Sequence, residues 1–273
     1  MTTLALHQPP TYGTVIQQQL RNAAGALRGA AIGLFAAALL FFILLTLLQS
    51  SGQLQGPGPS GFNLNSYETI PVWFVALIAA GALWQRDEPT RRGYHLAMPV
   101  NAAHHTAMRV GAGWAWLMVW VAVYLVLLCL LGLVLTLIGG GQFTSQMGWW
   151  GWLAPFAAAT MSYLLASIPF VASEKPLAWI VAVPGGFVAL ITLPYMFKAR
   201  ALTSVLDSLM AGPFSPQAPF FPMFFRMQSP AVMGPRHPLE LDWQTSVTAA
   251  VVWTIIGLVG VWLATRHRAR GAQ

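Results

Sequence analysis

Ile70-Pro71-Val72-Trp73-Phe74-Val75-Ala76-Leu77-Ile78-Ala79-Ala80-Gly81-Ala82-Leu83-Trp84 is an apolar run without a single charge, and whether it crosses a bilayer decides the topology of all that follows. At 1.5 Å per residue it is about 22 Å long, short of a hydrocarbon core of about 30 Å. By length alone it reads as a re-entrant segment, a half-span or, drawn out to 68–85, a short span. The blocks at 29–48, 110–138, 149–171, 176–197 and 246–264 are long enough to cross by the same measure.

Charge placement settles the short run. If it crosses, Arg21, Arg28, Arg86, Arg91, Arg92, Arg109, Lys175, Arg266, Arg268 and Arg270 fall on one side, and only Lys198, Arg200, Arg226 and Arg236 on the other. If it does not, the cluster from Arg86 to Arg109 moves opposite Arg21 and Arg28 and the segregation is lost. Basic residues favour the cytoplasmic side of a membrane, so the pattern predicts six spans with both termini cytoplasmic. Glu68, Asp207, Glu240 and Asp242 then lie outside and Asp87, Glu88 and Glu174 inside, leaving the inner face strongly positive and suited to anionic lipid. Trp73, Trp84, Trp114, Trp149, Trp150, Trp152, Trp179, Trp243 and Trp262 sit near span ends, where interfacial anchors are expected.

Composition agrees. Residues are 56% hydrophobic and 8% charged, with mean hydropathy +0.62, whereas a soluble domain carries about a quarter charged residues. The fold class is therefore an all-α polytopic membrane protein, one transmembrane domain over 1–273. The net charge of +7 is no nucleic-acid signature, because the basic residues flank apolar blocks and form no stripe with interleaved aromatics. Cys129, the only cysteine, lies within an apolar block and reads as packing. The block at 29–48 is longer than the apolar core of a signal peptide and reads as a retained span. No repeat of fixed period is present.

Two flanking segments have their own character. Ile16, Leu20, Ala24 and Leu27 recur at helical spacing while Gln17, Gln18, Gln19, Arg21 and Asn22 fill other faces, so 14–28 is expected to be an interfacial helix, an elbow into the first span. The stretch 198–244 places Pro213, Pro216, Pro219, Pro222, Pro230, Pro235 and Pro238 beside Phe214, Phe220, Phe221, Phe224 and Phe225. Such a composition cannot make an unbroken spanning helix, and a re-entrant or interfacial outer segment is expected there.

Several chemistries are missing. The spans hold almost no ionisable side chains, which disfavours a proton-coupled pump. Lys175 and Lys198 are the only lysines, and neither ends a phosphate-binding G-x-x-x-x-G-K-[ST] loop, so the chain has no ATPase site of that kind. His104 and His105 are adjacent and would point about 100° apart on a helix, which does not make a chelate. Met210, Met223, Met227 and Met233 offer thioethers to a soft metal such as Cu(I), but five phenylalanines share the segment and apolar packing is the better reading, so no metal site is assigned. Ser162, Ser167 and His95 lack the G-x-S-x-G setting of a membrane hydrolase, so no catalytic residue is assigned. Gly139, Gly140 and Gly141 read as a turn closing the third span.

The inner connection between the second and third spans runs Arg86-Asp87-Glu88-Pro89-Thr90-Arg91-Arg92-Gly93-Tyr94-His95-Leu96-Ala97-Met98-Pro99-Val100-Asn101 within an expected loop at 86–109. It resembles the permease subunits of type-two ATP-binding-cassette (ABC) exporters, in which an acidic and basic cluster, Gly-Thr, an apolar helix and Pro-Val-Ser-Arg lead into the third span. Arg91, Arg92, Gly93, Leu96, Met98, Pro99 and Val100 fit that order; Tyr94 stands where Thr is common, His95 near a common Glu, and Asn101-Ala102 replace Ser-Arg. The order of spans, the elbow and the structured outer segment extend the resemblance along the chain.

The resemblance implies a short coupling helix seated in a groove of a separate nucleotide-binding subunit. Leu96 and Met98 would fill the groove, Asp87, Glu88, Arg91 and Arg92 would form rim pairs, Gly93 would allow a sharp bend, and Tyr94, His95 and Pro99 would complete the contact. It implies a non-enzymatic permease subunit in a bacterial inner membrane, with no cofactor of its own, ATP and Mg²⁺ on the partner ATPase, and a second permease copy or paralogue beside it. Few intramembrane charges suit an amphiphilic or hydrophobic cargo such as a drug, lipid or peptide. A non-transporting structural or regulatory subunit and the permease of a copper-enzyme maturation system remain the alternatives.

Overall fold

A computed structural model describes residues 12–50, 63–64, 70–85, 102–139, 144–145, 149–173 and 243–271, together with the single positions Ala178, Ala182, Met196 and Phe197. The described elements are five helices and one short pairing of strands: α1 (Tyr12–Ser50), β1 (Asn63–Leu64), α2 (Ile70–Gln85), α3 (Ala102–Gly139), β2 (Thr144–Ser145), α4 (Trp149–Ala172) and α5 (Trp243–Gly271). In α1, α3, α4 and α5, stretches of 24 to 35 residues are long and apolar enough to cross a membrane, and α2 is a shorter apolar helix. The chain is a multi-pass helical membrane protein.

Their directions follow from paired residues. Gln19 meets His105, and Phe35 stacks on Tyr124 with ring centroids 4.3 Å apart, so α1 and α3 run parallel. Tyr163 reaches Val110 while Thr160 lies against Trp114 and Met118, so α4 runs antiparallel to α3. β1 follows α1 and β2 follows α3; they pair in parallel, Asn63 with Thr144 and Leu64 with Ser145, which brings the exits of both helices to one end. The short α2 starts a few residues after β1 and finishes beside Arg109 of α3, so it runs antiparallel to α1 and α3. That direction is the one the charge pattern required of Ile70–Trp84.

α4 and α5 run side by side in the same direction. Trp149 packs on Trp243 at their starts, Gly257 lies against Leu164 and Gly260 against Ile168 further along. The end of α4 and the start of α5 are consequently about 35 Å apart along the pair at 1.5 Å per residue.

The short α2 lies in the core. Val72, Val75, Ala76, Ala79, Ala80, Leu83 and Trp84 are buried at helical spacing between α1 and α4, whereas the long helices leave wide apolar faces uncovered: Val126, Leu130, Leu133 and Leu137 of α3 and Val251, Ile255 and Leu258 of α5 are exposed, as lipid-facing side chains are. Hydroxyls along these helices donate to carbonyls of their own turn, Thr136 to Leu133, Thr160 to Phe156, Ser167 to Tyr163 and Thr265 to Trp262, which satisfies them without water.

Three expectations change. The elbow is not a separate helix lying on the surface: α1 runs unbroken through Arg28 and Gly29 and is about 58 Å long. Its first part continues the packing stripe Val15, Gln19, Ala23, Leu27, Ala31, Phe35 and Ala38, all buried four or three residues apart. The buried face is thus one residue away from the expected one, with Ile16 exposed and Gln19 covered. The expected loop 86–109 is helical from Ala102 onward, because Asn101 is followed by Ala102-Ala103 and no breaker until Gly111. Trp84 is buried at 7% exposure and belongs to the interior, not to an interfacial belt.

Candidate functional site

The residues that carry the family resemblance, Asp87, Glu88, Arg91, Arg92, Gly93, Tyr94, His95, Leu96, Met98 and Pro99, lie outside the described residues, as do nearly all of 176–197 and the stretch 198–242 with Met210, Met223, Met227 and Met233. The frame from which the connecting loop departs is described: Gln85 ends α2 and Ala102 begins α3. Both helix ends are built into one polar junction.

Arg109, in the third turn of α3, is 9% exposed and donates through Nη2 to the carbonyl oxygen of Leu83, in the last turn of α2. Its guanidinium also lies over the Trp84 ring, 4.6 Å from the centroid. The last four carbonyls of a helix have no partner within it and carry the negative end of its dipole, so a cation there is favourable. At the next residue of α3, Tyr163 of α4 donates to the carbonyl of Val110 at 3.0 Å. Gly113 leaves the room: a Cβ there would collide with the Tyr163 hydroxyl and stand 2.9 Å from Leu83 Cδ2. Residues 109–113 therefore bind α2, α3 and α4 together.

Among the described residues, the same end of the bundle gathers the positive charge. Arg21 and Arg28 are exposed in the first half of α1, and Arg266 is exposed near the close of α5, stacked on Trp262 at 3.9 Å. His104 is exposed, while His105 shares a 2.9 Å hydrogen bond with Gln19 across the α1–α3 seam. Among the described residues there is no Asp, Glu or Lys. At the opposite end, Trp150 donates to Ser246 at 2.6 Å beside the Trp149–Trp243 pair. Among the described residues the arginines gather at one end of the bundle, and the Trp149–Trp243 pair lies at the other.

Inside the bundle the polar points are few. Ser162 Oγ, Trp116 Nε1 and Trp120 Nε1 are buried without a hydrogen-bond partner among the described residues. No group of three His, Cys, Asp or Glu that could hold a metal occurs among the described residues, and Ser167 is bonded within its own helix. Sequence reasoning missed Arg109 as anything beyond a flanking charge; the signal available was a lone arginine eight residues past Asn101, at helical distance from it. No family model, curated protein sequence or solved structure matches the chain.

Proposed function

We propose that this chain is the membrane-spanning subunit of an ATP-driven exporter, with both termini cytoplasmic, six spans and ATP hydrolysis on a separate ABC-type subunit. The observation that supports the reading is the antiparallel pair α2 and α3: the helix ends that bracket the 86–101 connection, with its Arg-Arg-Gly-x-x-Leu-x-Met-Pro-Val order, lie at the end of the bundle that carries Arg21, Arg28, Arg109 and Arg266. The parallel run of α4 and α5 supports a further crossing between them, for which 176–197 is the apolar block of sufficient length.

Within this reading the chain forms a path with a second copy or a paralogue, and the partner ATPase supplies the free energy. The cargo is amphiphilic or hydrophobic, in keeping with the scattered hydroxyl and indole groups, and no carboxylates, among the described residues of the interior. Inner-membrane residence follows from the charge asymmetry.

The test is copurification of the tagged chain with a candidate ABC ATPase subunit, and ATP hydrolysis by the pair in lipid. A stable complex is expected, with hydrolysis reduced or uncoupled by Leu96→Asp, which puts a charge where the groove would be apolar. If no ATPase binds, the chain is a structural or regulatory membrane subunit instead.

A further inference from the structure

We infer that Arg109 is a latch: it locks the last turn of α2 to α3, so that both ends of the 86–101 connection move as one body with α4. This deepens the function proposed above and, in its transport consequence, rests on it.

The geometry is specific to a clamp. The two helix ends that bracket the loop are free in principle to separate, because the connection is long enough to follow them. Arg109 bridges the gap with two contacts of different kinds, a charged hydrogen bond to the Leu83 carbonyl and a face-on approach to Trp84. The first needs a donor at the negative end of α2; the second needs a flat, weakly hydrated cation, and guanidinium satisfies both. The clamp is itself held. Tyr163 fastens the next residue of α3, Val110, to α4, and Leu83 closes over Gly113.

A cation buried in the protein is costly unless it bonds a backbone carbonyl or a partner group. Simple helix packing at this junction would be served by an apolar residue. What an arginine adds is a strong, geometrically defined link between the two helices that bracket the loop. A push on 86–101 that would otherwise bend α2 alone is transmitted to α3 and, through Tyr163, to α4.

The experiment measures distance, independently of transport. Spin labels are placed at Ile78→Cys on α2 and Ala107→Cys on α3, both exposed positions, in a Cys129→Ala background of the full chain reconstituted in lipid. Electron–electron dipolar spectroscopy should give one narrow distance distribution. Arg109→Gln should broaden it or split it, and Arg109→Lys, which keeps the carbonyl bond and loses the flat stacking cation, should fall between the two. Trp84→Leu serves as a second way to weaken the latch if Arg109→Gln does not fold. A folded Arg109→Gln or Trp84→Leu protein with the parental narrow distribution overturns the latch. With an ATPase partner bound, Arg109→Gln should leave recruitment intact and lower the cargo moved per ATP hydrolysed; unchanged coupling in a protein whose distances have broadened overturns the transmission role. Failure to recruit any ATPase sinks the permease reading alone, and the distances still decide the latch.

Discussion

The junction of α2, α3 and α4 and the pair α4–α5 are two solutions to one problem. In lipid, helices gain little from hiding apolar surface, since the solvent is as apolar as the side chains; association depends on close packing and on polar links. The first region uses links: a guanidinium on a carbonyl and a ring, and a tyrosine hydroxyl on a backbone oxygen. The second uses proximity: Gly257 and Gly260, three residues apart on α5, let the backbone come up against Leu164 and Ile168. Its aromatic end adds a hydrogen bond, from Trp150 to Ser246. Polar links have defined geometry and can be broken and remade, whereas glycine seams resist any added atom. A moving part is better built the first way and a fixed part the second.

The largest test breaks the seam. A Cβ on Gly257 would stand 2.8 Å from Leu164 Cβ, an atom tied to its own backbone, so Gly257→Leu forces the helices apart and should destabilise the protein by about 3 kcal/mol, the upper range for overpacking. At Gly260 the obstacle is the tip of Ile168, which can rotate away, so Gly260→Ala should cost less than Gly257→Ala. Thermal unfolding in detergent, followed by loss of the monodisperse chromatographic peak, ranks the three; equal effects at the two glycines would contradict the seam.

A smaller effect sharpens the linked region. Tyr163→Phe removes the bond to Val110 and should cost about 0.6–1.5 kcal/mol. Gly113→Ala should cost about 1–2 kcal/mol by crowding the same hydroxyl and Leu83. Because the hydroxyl is the nearest obstacle, the double variant should be less destabilised than the sum of the two, and additive values in such a cycle would show that hydroxyl and glycine are not in contact. The smallest effect lies on the open face of α1. A Cβ on Gly29 or Gly33 meets nothing within 4 Å, so Gly29→Ala should be neutral or stabilise by up to about 1 kcal/mol through helix propensity. A marked loss of stability at Gly29 would mean that another helix covers that face.

Much of the frame was legible in the sequence because bilayer thickness imposes a minimum length on apolar blocks. The blocks at 29–48, 110–138, 149–171 and 246–264 lie within α1, α3, α4 and α5, and the charge asymmetry gave α2 its direction. What could not be read was which polar residues the bundle would enclose. Gln19 looked like part of a polar face and is buried on His105, since apolar periodicity cannot register a hydrogen bond made 86 residues away in the chain. Trp84 looked interfacial because it ends an apolar run, and is covered because Arg109 lies across it. The elbow was read as separate from the span because Arg21 and Arg28 interrupt the apolar run; on the helix both arginines point away from the Val15-to-Ala38 stripe and leave it continuous. The loop residues Asp87 to Pro99 lie outside the described residues.

The parallel run of α4 and α5 also bears on how the protein is made. Helices adjacent in a nascent chain usually enter the bilayer as antiparallel hairpins, each covering the other as it leaves the translocation machinery. Here the partner of Leu164 and Ile168 is not the next segment, and residues 173–242 must be synthesised first. At ordinary rates of about 5–20 residues per second the α4 face waits for several seconds, a long time for an incomplete membrane fold. Closure of that seam is thus a late event in biogenesis, and a chain that stalls before α5 presents an open glycine-accepting groove to insertases and membrane proteases.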